Sequence, residues 1–364
     1  MKNVQTLSKA LALTCFLLGI GASAAAEFPE RPISIVAPFT AGSAPDVYTR
    51  ALATELSKAA GVPVVVENRP GGSSGIAAQL VGSAKPDGYR LLISGNVAFT
   101  GNPHVIKSLP YDPINGFVPL TTLSKGPMYL YANPDKVKAG SAKELLQQLK
   151  SDPGKFTFGY TSITSRLPAE VLQQTAGVKV VGAAYKSGAS MMPDLMSGVI
   201  DFMFTDFSAW TFVSSGKLKS LGVTADVRSP LAPDLPTFQE NGIQGMDISF
   251  WLAAYLPAKT PQPVVEKMYA LLVQANKTPA VQAAMKASGT FEFIQPLGQL
   301  EKYQAKEREQ WGQIIRAAGI QPEQRQQHTW KKHEKRLQTS FSGHLGADLN
   351  HRVLTIECHL VREN

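Results

Sequence analysis

The segment "ISIVAPFTAGSAPDVYTRALA" (Ile33 to Ala53) decides the fold. Its first five residues form a short apolar run closed by Pro38, which reads as a buried strand. Pro38, Gly42 and Ser43 then interrupt the run, and Val47, Ala51, Leu52 and Leu56 recur at helical spacing. Ser43 is placed as an N-cap, Pro45 falls in the first helical turn, and Asp46 stands three residues after the cap as in a capping box. A strand, a small-residue loop and an amphipathic helix make the repeating unit of an α/β sheet.

The unit recurs. "VPVVVEN" (Val62 to Asn68) is a second strand, followed by "RPGGSSG" and a helix carrying Ile76, Ala77, Leu80 and Val81. "GYRLLIS" (Gly88 to Ser94) is a third, followed by "SGNVAFTGN" (Ser94 to Asn102). From about Phe117 the pattern restarts, with a helix expected over Pro168 to Thr175. "FWLAAYLP" (Phe250 to Pro257) is then a long apolar strand followed only by helices. This order predicts an α/β fold of two lobes with parallel-type sheets and a hinge of crossing strands. Lobe 1 would be discontinuous, 27–120 and 252–324, and lobe 2 would span 121–251. Ligands of such sheets lie at the carboxyl ends of the strands, so the loops facing the cleft are the candidate site.

Met1 to Ala26 has Lys2 and Lys9, an apolar run from Leu11 to Ile20 and a small-residue end, the layout of a cleaved secretory signal peptide (1–26). That apolar run is well short of the ~20 residues a membrane span needs. An exported chain is therefore expected, located in the periplasm. Cys15 lies in this leader and Cys358 near the far end, so no disulfide is expected and the core must come from size. The net charge of +8 is spread unevenly. The leader carries two lysines, and the residues from Arg325 onward carry seven basic against four acidic groups, which leaves about +3 for the rest. Such a mild surplus makes no case for nucleic acid or a membrane surface. The tail, 325–364, also holds five of the six histidines at spacings that match no metal template, and it reads as an appended segment outside the fold.

Three loops after successive strands, around Thr40, Gly42 and Ser43, around Ser73 and Ser74, and around Asn96, are rich in Gly and hydroxyls and carry no charge of their own apart from Asp46 and Arg69 at their margins. In the second lobe, "YTSITSRLPAE" (Tyr160 to Glu170) supplies Thr161, Ser162, Thr164 and Ser165, with Arg166 as a candidate bidentate partner for a carboxylate. "AAYKSGAS" adds Lys186, and "FMFTD" ends on Asp206, either a ligand contact or an N-cap. Small residues before a helix leave backbone N–H groups accessible, and the helix dipole favours an anion there by about 0.3 to 1 kcal/mol. The loops therefore suit a small anion, most simply a carboxylate. No metal or cofactor is expected.

Taken in order, "ISIVAPFTAGSAPDVYTRALA", "VVVENRPGGSSGIAA", "AKPDGYRLL", "YKSGASMMPDLMSGVIDFMF", "LGVTADVRSPLAPDLPTFQENG" and "FWLAAYLPAKTPQPVV" closely resemble the periplasmic receptors of the tripartite tricarboxylate transporter system, the Bug family. The resemblance covers roughly residues 27 to 324. It implies a hinged periplasmic binding protein of the type II, Venus-flytrap kind, a monomer that captures small carboxylates and delivers them to a membrane permease. Carried over from the family, the ligand positions are Phe39, Thr40, Gly42, Ser43, Ser73, Ser74 and Asp206. One departure stands out: the family loop after "FGY" is commonly a Gly/Ser run leading to a His, and here it is shorter, with Arg166 near the His position. Two other readings compete. A receptor could report its ligand to a membrane sensor instead of a permease, and a Ser/His/Asp hydrolase would have to use His104, the single histidine before the tail.

Overall fold

A computed structural model describes residues 28–323; the expected leader (1–26) and the His-rich tail (325–364) lie outside the described residues. The chain begins with β1 (Ile33–Ala37), α1 (Ala44–Ala60), β2 (Val64–Asn68), α2 (Gly75–Gly82), β3 (Arg90–Gly95), α3 (Asn102–Val105) and β4 (Phe117–Pro127). It continues through β5 (Tyr129–Ala132), α4 (Ala142–Ser151), β6 (Thr157–Tyr160), α5 (Ile163–Ala176), β7 (Val181–Ala184), α6 (Gly188–Ser197), β8 (Phe202–Thr205), α7 (Trp210–Ser214) and β9 (Lys219–Val223). It ends with β10 (Ser249–Pro257), α8 (Gln262–Asn276), α9 (Pro279–Ser288), β11 (Phe291–Glu292) and α10 (Leu300–Ala317).

These strands build two sheets, ordered β11-β4-β10-β3-β1-β2 and β7-β6-β8-β5-β9. Each has a parallel core of three strands, β3-β1-β2 in the first and β7-β6-β8 in the second. The strands next to the crossings run against these cores: β10 is antiparallel to β3 and β4, and β5 to β8 and β9. The result is an α/β fold of two lobes joined by crossing strands.

The crossings fall at other residues than 120 and 252. β4 stays in the first sheet as far as Pro127, which pairs with Ser249 at the start of β10. Proline has no N–H to continue a ladder, and β5 opens two residues later in the second sheet. The continuation of β4 is hidden in the sequence because Thr121, Thr122 and Ser124 look solvent-facing. All three are buried, and a register irregularity separates the pairs Leu252/Ser124 and Ala253/Thr122. Two further elements differ. α5 begins at Ile163 rather than near Pro168, so Pro168 sits inside the helix. The two-residue β11 pairs with Lys125 and Ser124 where only helices were expected.

The first sheet buries both faces, as a parallel core requires. Ile33, Ile35, Leu91, Ile93, Leu252 and Ala254 pack under α1 and α8 through Tyr48, Leu52, Met268 and Leu272. Val36, Leu92, Trp251 and Tyr255 pack on the other face against Ala77 and Val81 of α2 and Leu300 of α10. In the second lobe, Leu130, Phe158, Phe202 and Phe204 meet Leu145 and Leu149 of α4 and Leu167 and Leu172 of α5. Each such side chain contributes about 1.5 to 3 kcal/mol on burial. The last helix belongs to both cores: Leu300 lies with the first sheet, whereas Trp311 and Ile315 lie in the cluster of the second lobe. Among the described residues no helix is long and apolar enough to cross a membrane.

Candidate functional site

The parallel cores bring the candidate loops together by topology. In the order β3-β1-β2, the segments leaving the carboxyl ends carry Asn96, then Phe39 to Ser43, then Ser73 and Ser74. In the order β7-β6-β8 they carry Lys186, then Ser162 to Arg166, then Asp206. The two edges meet. Gly101, in the π-helical turn Val97–Gly101 after β3, lies so close to Ile163 at the start of α5 that a Cβ there would overlap it, and would stand 3.2 Å from the Trp311 ring. A second contact joins Phe207 after β8 to Gly289 after α9, where φ is +74° and a side chain would also collide.

Within the first loop, Gly42 takes φ +79° and its N–H donates to Asp46 Oδ2 at 2.8 Å. Ser43 caps α1 by position but not by its hydroxyl, which donates to the Thr40 carbonyl at 2.7 Å. The expected capping box is thus replaced by a tighter turn, in which the acid reaches the residue before the cap. Asp46 is buried and also accepts from Asn68 Nδ2 at 2.7 Å and from Arg50 Nε at 2.9 Å. Burial pushes its carboxyl up, and the bonds from Asn68, Arg50 and Gly42 more than offset this, holding it below the usual range. Asn68 also donates to the carbonyl of half-buried Phe39 at 3.1 Å. Phe39 and Gly42 are therefore fixed within the lobe, and the exposed Thr40 is left facing out.

The second loop is strained. Gly71, Gly72, Ser73 and Ser74 all have positive φ, with the two serines at 49° and 72°, a region that costs a non-glycine residue roughly 1 to 2 kcal/mol. Buried Asn102 holds the loop there, donating to the Ser73 carbonyl at 2.8 Å and to the Tyr111 hydroxyl at 3.0 Å. Strain of this kind collects at ligand sites. Gly71 to Gly75 also spells Gly-x-Ser-x-Gly between a strand and a helix, which corrects the expectation that the chain holds no such nucleophile-elbow pattern. His104 is held against α10 instead. Its Nε2 pairs with the Arg308 carbonyl at 2.8 Å, its ring packs where a Cβ on Gly312 would lie, and burial lowers its pKa.

The third loop is not an open donor loop. Ala98, Phe99, Thr100 and Asn102 are buried, and the amide of buried Asn96 donates to the Ser249 carbonyl at 2.8 Å. Asn96 thus ties the turn to the crossing strand.

On the facing edge, Ser162 is the N-cap of α5 and Ser165 completes its cap. The Ser165 hydroxyl accepts from the N–H groups of Thr161 and Ser162 at 3.0 and 3.1 Å and donates to the Ser162 carbonyl at 3.0 Å. Arg166 Nε binds Glu170 Oε1 at 2.7 Å, one helical turn on, and its guanidinium stacks 5.1 Å from the Tyr160 ring. Its charge is already neutralised. Asp206 is the N-cap of the turn Phe207–Ala209, accepting from Ser208 N at 3.0 Å and from the Ser208 hydroxyl, and its carbonyl accepts from Tyr131. Lys186 is exposed and enters no ion pair among the described residues. Thr164, in the first turn of α5, has a buried hydroxyl without a protein partner. Its place in "TSITSR" named it as one hydroxyl among several, and only burial separates it from its neighbours. Among the described residues no group of His, Cys, Asp and Glu is placed to hold a metal ion.

Comparison with known proteins gives this arrangement a family. The family described as tripartite tricarboxylate transporter family receptor matches residues 48–320. A UPF0065 protein of Bordetella pertussis is 30% identical over 87% of this chain and 99% of its own. The solved periplasmic binding protein BugD is 31% identical with a TM-score of 0.72, covering 81% of this chain and all of that one. R. palustris Rpa4515, solved with adipate, is 25% identical with a TM-score of 0.74, covering 82% of this chain and 100% of that one. With its paired sheets and facing loops, the chain belongs to the tripartite tricarboxylate transporter receptors, the periplasmic solute-binding proteins of that system.

Proposed function

We propose that this receptor captures a small carboxylate between its lobes and hands it to a membrane permease, without catalysing a reaction. The observation that carries this reading is the opposition of the two strand edges. The turn after β3 touches the start of α5, hydroxyl-rich helix starts leave the adjoining strand edge of each lobe, and most nearby charges are already paired. An anion entering there meets helix N-termini at α1, α5 and α6, each worth about 0.3 to 1 kcal/mol. The hydroxyls of Thr40, Ser73, Ser74, Ser162 and Thr164 complete the set, with the ammonium of Lys186. Asp206, Ser43, Ser165 and Asn96 hold these groups in place. Arg166 supports the α5 start through Glu170 rather than reading a second carboxylate, so any second acidic group of the ligand is left to Lys186. The adipate held by Rpa4515 supports a carboxylate as the class. The leader reading puts the chain in the periplasm, where one copy carries both lobes.

A thermal-shift panel of mono-, di- and tricarboxylates, amino acids and aromatic acids tests this. A ligand at 100 times its Kd adds about 2.7 kcal/mol of stability, so one class of acid should raise the melting midpoint clearly. No shift with any acid, from folded protein freed of ligand by partial unfolding and refolding, would count against the reading. Loss of uptake of that acid in a deletion strain supports delivery to a permease, and loss of induction with uptake intact supports sensing.

A further inference from the structure

Glu307 of α10 is buried where that helix passes from one lobe to the other. Trp251 Nε1, on the crossing strand β10, donates to Oε1 at 3.0 Å and to Oε2 at 2.9 Å, and Thr100 Oγ1, in the turn after β3, donates to Oε2 at 3.1 Å. One turn further along α10, Trp311 lies in the second lobe's core and against Gly101. The same turn is bound again by Arg308 Nε, which donates to the Phe99 carbonyl at 2.9 Å. A single carboxylate therefore joins the crossing strand, the turn that touches α5, and the helix shared by both cores.

The groups that face it bear on its charge. Lys125 comes from β4, Tyr255 from β10 and Tyr303 from α10 itself; the Asn96 amide lies beside it. Lys125 is itself 4.0 Å from Asp247, and Tyr255 accepts from Gln304 at 2.6 Å. Burial raises the Glu307 carboxyl to about 7, against the pull of Trp251, Thr100, Lys125 and Asn96. Ionised, both oxygens accept. Protonated, one oxygen becomes a donor facing two donors, and Trp251 can only donate. The Thr100 hydroxyl must then reverse and seek another acceptor, which loosens the turn.

We propose that Glu307 is a positioning residue for lobe closure: ionised, it clamps the Thr100 turn to β10 and α10 and fixes the interlobe angle, and protonation releases that clamp. The idea rests on the reading that the lobes close on a ligand, and it makes capture dependent on pH near neutrality. Ordinary carboxylic ligands titrate well below that range, so the dependence belongs to the receptor.

Spin labels on the exposed positions Val65 in the first lobe and Val199 in the second test this, introduced as V65C and V199C in the full chain with C15S and C358S. Interlobe distances are read by pulsed electron resonance at about pH 5.5 and about pH 8.5, either side of the buried carboxyl's range. The wild-type distribution should differ between the two, and Glu307→Gln, the neutral mimic, should show the low-pH distribution at both. A distribution unchanged by pH, or a pH response that survives in Glu307→Gln, overturns the proposal. If Glu307→Gln does not fold, Thr100→Val decides: removing a donor to the ionised form should move the transition to higher pH, and an unmoved transition overturns it. No ligand is present, so the result is independent of whether a carboxylate binds.

Discussion

Asp46 holds the first cleft loop in shape by serving three partners at once, the Gly42 amide, Asn68 and Arg50. Charged hydrogen bonds of this kind are worth about 1.5 to 3 kcal/mol, so Asp46→Ala should cost about 2 kcal/mol or more in chemical denaturation. The sign of its pH dependence follows from its lowered pKa. The folded form holds the proton less readily than the unfolded form, so the contribution is present above about pH 4 and is lost as pH falls through the folded value. Asp46→Asn should flatten that acid limb, and an unchanged limb would show that other groups set it. Arg166 carries a second expectation at this scale. Because it is spent on Glu170, Arg166→Ala should weaken mono- and dicarboxylates alike; a loss confined to dicarboxylates would restore it as a ligand contact. The spacing of Arg166 and Glu170 was visible in the sequence. Arg166 was expected in the first turn of α5 and was weighed as a ligand contact against a plain surface residue, not as the partner of Glu170, although residues four apart on a helix face each other.

Among the elements, the parallel strands were legible and the joints were not. β1 lies where its apolar run placed it, and each small-residue loop stands at the carboxyl end of a parallel strand, because alternation and punctuation are local properties. The continuation of β4 depends on neighbours: Thr121, Thr122 and Ser124 are buried in a strand that pairs with β10 and β11 and packs against α8 and α10. The turn after β3 was misread for the same reason, since its buried face is set by α10, some 200 residues away in the chain. Its contact with α5 makes a prediction. Gly101→Ala should force Ile163 away and hold the lobes apart, weakening ligand binding at least tenfold, or about 1.4 kcal/mol, while the ligand-free melting midpoint changes little. Adding Ile163→Ala should restore affinity. Unchanged affinity in Gly101→Ala would mean that this contact does not set the cleft.

Across the whole molecule, three segments tie the lobes: the passage from β4 to β5, the return into β10, and α10, which has residues in both cores. The two crossings could be inferred from the order of strands and helices. The third could not, because an amphipathic helix at the end of a chain gives no sign of which lobe its two halves will meet. The same limit applies to the ligand: hydroxyls and helix ends announce an anion, and the shape behind them depends on how the two edges are set. The most direct measurement is small-angle X-ray scattering of the ligand-free chain titrated with the acids of the panel. A carboxylate that stabilises the protein should also reduce its radius of gyration as the lobes close, saturating at the same concentration. Binding with no change in dimensions would contradict capture between the lobes.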